Sequence, residues 1–364
     1  MTLALCMIVK DEEKVLARCL DSVAGLFDEI VIVDTGSSDK TKSIAAEYTD
    51  KIYDFTWIDD FSAARNFSFS KAEADYVMWL DADDVLLPGD CQALKDLKTS
   101  GKMENADVWM MRYNTAFDEN MNPTFYYYRE RIVRRNMNFR WQGRVHEALE
   151  YSGKISYSEI AVTHRSIKTT YSKRNLMIYK KQIEEGEKLS LRDTFYYARE
   201  LYYHKYYDEA EKILKAFVQN ENAWLENRLE GAKILSYCLR DTGKIQKSLE
   251  VLIYTLSFSE PRADICCEIG EVLMMQKEFK KAVFWFELAL HLPNYDCSGG
   301  FVNSDCFGYL PCIELCVCHD KIGNRLLAQQ YNLMAGTYRP NSEAYRQNLI
   351  YFSTHPVTDK SREE

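Results

Sequence analysis

Three acids, Asp81, Asp83 and Asp84, follow the apolar run Tyr76-Val77-Met78-Trp79-Leu80, with Ala82 between the first two. Carboxylates so close repel one another unless a cation joins them. A hard divalent ion such as Mg²⁺ or Mn²⁺ takes oxygen ligands and commonly bridges carboxylates to substrate phosphates. Taken alone, Asp-x-Asp is a turn that caps the next helix. The run before it reads as a buried parallel strand, and ligands of open α/β sheets sit outside the carboxyl ends of such strands. The chemistry implied is a metal–diphosphate site. Asp34 closes another apolar run, Ile30-Val31-Ile32-Val33, and is placed to accept from a base N–H or a ribose hydroxyl, or else to serve as a turn acid. His146 and Glu147 offer a metal ligand and a general base side by side. His164, after Ala161-Val162-Thr163, completes metal coordination, touches a diphosphate, or is a core histidine.

The elements that must position these residues follow from periodicity. Leu3–Val9 is a first buried strand, and Asp11 is placed to cap a helix whose apolar positions are Val15, Leu16, Cys19, Leu20 and Val23. The strand ending at Asp34 turns through Thr35-Gly36-Ser37-Ser38-Asp39 into a helix near Lys40, with Asp39 or Ser38 as its cap. Lys51–Phe55 is a third strand, Phe61–Asn66 opens another helix, and Tyr76–Leu80 follows. Strands alternating with helices predict a mostly parallel sheet with helices on both faces. No Gly-x-Gly-x-x-Gly follows the first strand and no Walker lysine loop occurs. Two further strands, Val108–Tyr113 and Phe125–Val133, flank a turn containing Asn120, Asn122 and Pro123. Arg129, Arg131, Arg134, Arg135, Arg140 and Arg144 form a basic cluster beyond it. One or two of them would complement a diphosphate, the others serving an exposed ribbon edge.

The second half is a helical repeat. Ala198/Ala210, Ser236/Ser248, Gly270/Ala282 and Cys316/Ala328 are pairs of small residues 12 apart, and Ser236 to Gly270 is a step of 34, the tetratricopeptide period. Small residues let paired helices approach closely. An insertion at about 295–307 reads as a loop. Cys306, Cys312, Cys316, Cys318 and His319 lack paired zinc spacing and read as core thiols. The expected organisation is a catalytic domain over 1–167, a linker helix over 168–192, repeats over 193–352 and a frayed tail over 353–364.

The net charge of −9 argues against a nucleic-acid or anionic-membrane partner. No apolar stretch approaches the ~20 residues that span a bilayer. Leu3–Val9 is too short for a signal sequence, and the 11 cysteines are scattered, so reduced thiols and a cytoplasmic location are expected.

Val31-Ile32-Val33-Asp34-Thr35-Gly36-Ser37-Ser38-Asp39, Ala64-Arg65-Asn66 and Leu80-Asp81-Ala82-Asp83-Asp84 together resemble family 2 glycosyltransferases of the GT-A fold, over roughly residues 1–165. Trp141-x-Gly143-x-x-His146-Glu147 resembles the subgroup of lipopolysaccharide-core glucosyltransferases and bacteriocin S-glycosyltransferases of the sublancin type, the latter also carrying tetratricopeptide-like helices. The resemblance implies inverting transfer from a UDP-sugar with Mn²⁺ or Mg²⁺. It implies that Asp34 holds the base, with Asp11 or its neighbours lining the same pocket, and that Arg65 lies near the base or diphosphate. Asp81 would contact ribose and metal, and Asp83 would ligate the metal. Glu147 would be the general base and His146 a third ligand or base partner, although many members use a Glu-Asp pair. The repeats would bind a peptide or protein acceptor, pair two subunits, or both. The alternatives are a glycan or lipid-linked acceptor and a catalytically inactive repeat scaffold. A nucleotidyltransferase would want a glycine-rich basic loop after the first strand, which is missing.

Overall fold

The computed structural model describes residues 1–168, 170–293 and 300–355, which form two compact units. The first comprises residues 1–115 and 126–193, and the second is built mainly from the chain beyond 194 together with residues 116–125.

In chain order the first unit runs β1 (Leu3–Val9), α1 (Leu16–Ser22), β2 (Glu29–Asp34), α2 (Thr41–Ala45), β3 (Ile52–Asp54), α3 (Phe61–Lys71), β4 (Tyr76–Trp79), β5 (Asp84–Leu86), α4 (Pro88–Thr99), β6 (Val108–Phe117), β7 (Pro123–Arg134), β8 (Arg140–Gln142), β9 (Ala148–Glu150), β10 (Ile155–His164) and α5 (Arg174–Glu184). The sheet order is β3-β2-β1-β4-β7-β6-β10-β5, with β8 and β9 as a separate ribbon. The strands β3, β2, β1 and β4 are parallel, as the alternation of strand and helix predicts. Beyond β4 the sheet is mixed: β7 runs antiparallel to β4, β10 parallel to β6 and β5 antiparallel to β10.

The apolar runs are continuous because both faces of the central strands are covered. Leu3, Leu5, Met7 and Val9 of β1 pack into one core, and Ala4 and Cys6 into the core on the opposite face. Register then delivers the strand ends together, with Val9 opposite Asp34 and Asp34 opposite Asp54. Helix α3 starts as read, Asp60 accepting the Ala63 amide at 2.9 Å.

Two local expectations are corrected. Asp11 caps no helix: α1 starts five residues later at Leu16 without a side-chain cap. Asp11 instead adopts φ 53° and accepts from the Ser38 amide at 2.7 Å, lacing the loop after β1 to the loop after β2. The arginine cluster divides: Arg135 and Arg140 are exposed, as expected of an edge, whereas Arg131 is buried and the others are partly covered. Arg134 pairs with Asp107 at 2.8 Å, Arg135 donates to the Ala74 carbonyl at 2.6 Å and Arg144 pairs with Glu185 and Glu187.

The second unit is α6 (Leu191–Tyr203), α7 (Tyr207–Val218), α8 (Leu225–Asp241), α9 (Ile245–Tyr254), α10 (Ala263–Met275), α11 (Phe279–His291), β11 (Val302–Asn303), α12 (Tyr309–Lys321), α13 (Arg325–Tyr338) and α14 (Glu343–Thr354), α6 beginning at the end of the first unit. The small-residue steps mark the closest approaches within helix pairs. The hydroxyls of Ser236 and Ser248 bond at 2.6 Å, and a Cβ on Gly270 would meet the Phe286 ring at 2.5 Å. Consecutive first helices of the pairs are joined by Lys233–Asp264 at 3.0 Å and Arg240–Glu271 at 3.2 Å. Cys306, Cys312, Cys316 and Cys318 are buried free thiols, as their spacing suggests. The insertion expected near 295–307 lies partly outside the described residues, as does the tail beyond 355. Among the described residues no helix is long and apolar enough to cross a membrane.

Candidate active site

The turn after β4 is closed by its own side chains. The Asp84 amide donates to the Asp81 carbonyl at 3.0 Å, and the Asp81 amide returns a bond to Asp84 Oδ2 at 3.1 Å. Asp84 then begins β5, whose antiparallel pairing with β10 sets His164 directly opposite it. The side chains of Asp83, Asp84 and His164 thereby converge, their potential ligand atoms within 4.8 Å of one another. The His164 Nδ1 lies 3.5 Å from Asp83 Oδ1 and 3.4 Å from Asp84 Oδ1. Burial works against a charged imidazole, but the hydrogen bond to Asp84 and the charges of Asp83, Asp84 and Asp81 outweigh it, so the His164 pKa is raised. Among the described residues this is the only such grouping, and it contains neither Asp81 nor His146.

Asp81 faces Arg65 instead. Arg65 is buried, on the inner face of α3, with its guanidinium 4.7 Å from the Trp79 ring and 5.0 Å from the Trp141 ring. Its Nη2 donates to Asp81 Oδ1 at 2.7 Å and its Nε to Glu147 Oε1 at 2.5 Å. One arginine therefore fixes two carboxylates that lie 66 residues apart in sequence. Burial pushes the Asp81 carboxyl up, but Arg65, Arg131 and Arg129 together hold it down at about 2.

Glu147 is well buried, and His146 beside it takes φ 51°, a left-handed conformation uncommon for a residue with a Cβ. The His146 carbonyl accepts from Arg192, and its ring stacks on Tyr179 of α5 at 6.4 Å. Asp34 is buried at the end of β2. Its Oδ2 accepts the Gly36 and Ser37 amides, each at 3.0 Å, while its Oδ1 is buried with no hydrogen-bond partner. A buried acceptor without a donor is rare, and here it lies in the loop cluster where a nucleotide base was expected.

The roles of several contributors escaped the sequence reading, which placed Arg129 and Arg131 only within the basic cluster. Arg131 is fully buried, pairs with Asp84 at 3.1 Å and lies 3.8 Å from the Trp79 ring. Tyr113 donates to Asp84 at 2.9 Å, and Arg129 pairs with Glu130 at 3.0 Å. The two indoles against which Arg65 rests lie edge to face at 5.1 Å. A buried arginine implies a buried acid, which was the one available signal.

The sequence model for "Glycosyl transferase family 2" matches residues 4–153. A TPR repeat-containing protein of Synechococcus elongatus is 36% identical over 150 residues, which is 41% of this chain and 36% of that protein. The SPbeta prophage-derived glycosyltransferase SunS of Bacillus subtilis is 24% identical over 239 residues, 62% of this chain and 56% of the relative. The chain thus spans between about a third and just over half the length of these curated relatives. Among solved structures, residues 1–349 of S. aureus TarS in complex with UDP-GlcNAc align over 94% of this chain and 93% of that one, at 14% identity and a TM-score of 0.37. The match to the glycosyl transferase family 2 model thus covers most of the sheet and its flanking helices, and the paired helices follow it in the chain.

Proposed function

We propose that this chain transfers a sugar from a UDP-sugar to a peptide or protein side chain, with inversion and with a divalent metal. The observation that carries the reading is the convergence of Asp83 and His164 at the carboxyl end of β4, next to the turn that holds Asp81. A carboxylate oxygen and an imidazole nitrogen fit a divalent ion, and the imidazole favours Mn²⁺ over Mg²⁺, which prefers oxygen alone. Bound there, the ion would neutralise charge on the departing diphosphate. In this reading Asp34 Oδ1 accepts from the uracil, Asp11 supports the same loop cluster and Asp81 meets the ribose side of the donor. Glu147 takes the acceptor proton, held in place by Arg65. His146 sets the backbone that presents Glu147. The helical array supplies an extended surface suited to a chain-like acceptor.

The test is calorimetry of UDP binding with and without Mn²⁺. Asp83→Asn removes the metal-dependent part of the affinity; unchanged affinity in Mn²⁺ would refute the assignment. Glu147→Gln spares UDP binding and lowers transfer or donor hydrolysis by about 10²–10⁴. Turnover equal to wild type would move the base elsewhere.

A further inference from the structure

Asp84 is the one acid of the run that the proposed chemistry does not use. It is fully buried and both oxygens are engaged. Oδ2 accepts from Arg131 Nη1 and from the Asp81 amide, each at 3.1 Å, and Oδ1 accepts from the Tyr113 hydroxyl at 2.9 Å. That hydroxyl has a single proton and gives it to the carboxylate, which can only accept. Its oxygen, 3.0 Å from His164 Nδ1, is left as an acceptor. Asp84 Oδ1 and Asp83 Oδ1 face the same nitrogen at 3.4 and 3.5 Å. Three oxygens able to accept surround Nδ1, an arrangement that favours a proton on this nitrogen and leaves Nε2 as the one able to offer a lone pair.

We infer that Tyr113 and Asp84 are positioning residues that hold His164 in its Nδ1–H tautomer and present Nε2 to the divalent ion, Asp84 itself being no ligand. The arrangement is built into neighbouring strands. On β10, Val162 is paired with Tyr113 of β6, and His164 with Asp84 of β5. Arg131 on β7 fixes the far side of the carboxylate. Partners of this kind, on the nitrogen away from the metal, orient the ring and raise its basicity, and their loss costs about 10–100-fold in metal affinity.

The inference rests on the metal reading above, and the experiment separates the two. Mn²⁺ binding in the presence of UDP is followed by the electron-spin resonance of free Mn²⁺, for wild type, Tyr113→Phe and Asp84→Asn. Tyr113→Phe keeps the ring packed against Tyr127 and Arg131 and removes only the hydroxyl. Affinity about tenfold or more weaker, in a metal-free protein that still melts cooperatively, is the expected result. Wild-type binding matched by Tyr113→Phe overturns this inference alone, whereas no Mn²⁺ binding by wild type overturns the metal reading and this inference with it. Nitrogen-15 spectra of the wild-type histidines at alkaline pH, with His164 assigned by His164→Gln, need no folded Tyr113 variant. A protonated Nδ1 is expected, and a bare Nδ1 with protonated Nε2 refutes the proposal.

Discussion

Arg65 does at one point what two separate salt bridges would do elsewhere. A guanidinium presents its donors as a rigid fork, and here the fork reaches Asp81 with one nitrogen and Glu147 with another while the group rests against the indoles of Trp79 and Trp141. The electrostatic result is legible in Asp81, whose folded pKa of about 2 lies below the usual carboxylate range. A depressed carboxyl contributes stability that is present above its unfolded pKa and lost as pH falls through the folded value. Urea denaturation of wild type should therefore show declining stability between about pH 4 and pH 2, and Asp81→Asn should flatten that part of the profile. An equal slope in the variant would assign the decline to other carboxylates. At this scale the sequence was informative where the chemistry is local. Asp34, Asp81 and Asp83 close apolar runs and can be picked out by position. The roles of Asp84 and Tyr113 could not, because they arise from a partner 80 and 51 residues away along the chain, His164.

Elements were readable in proportion to how periodic they are. The parallel half of the sheet and the helix pairs each repeat a pattern that only one kind of packing satisfies. The ends of elements were less so: Asp11 looked like a cap but takes a left-handed turn because the loop it meets offers the Ser38 amide. The arginines of β7 and the ribbon after it were read as a group because they are close in sequence, yet alternation along the strand puts Arg129 and Arg131 on one face, over Trp79, and Arg134 on the other, with Asp107. The register of β10 against β5 could not be deduced, and it is that register which completes the Asp83–Asp84–His164 grouping. In the helical array the position of Gly270 is decisive. Gly270→Ala would place a methyl group 2.5 Å from the Phe286 ring, which is fully buried and has little room to retreat. Denaturant unfolding should show a loss of about 1–3 kcal/mol, in keeping with the cost of overpacking. A neutral result would mean that the α10–α11 pair can open without penalty.

On the scale of the whole molecule, ligand binding and folding are linked, because a ligand that binds only the native chain raises its stability in proportion to its affinity. If a nucleotide base meets Asp34 as proposed, its unpartnered Oδ1 makes that linkage selective. A lone acceptor at the end of β2 welcomes a heterocycle whose ring nitrogen bears a hydrogen, and penalises one whose corresponding nitrogen is itself a lone pair. Uracil, with its N3–H, satisfies the oxygen; cytosine, with a bare N3, opposes it. Melting curves recorded with Mn²⁺ should thus rise with UDP, rise far less with CDP, and stay near the ligand-free value with UDP methylated at N3. Equal shifts for all three would mean that the Asp34 oxygen does not read the base. One carboxylate oxygen left without a donor is, on this view, how the protein tells pyrimidines apart before any sugar is moved.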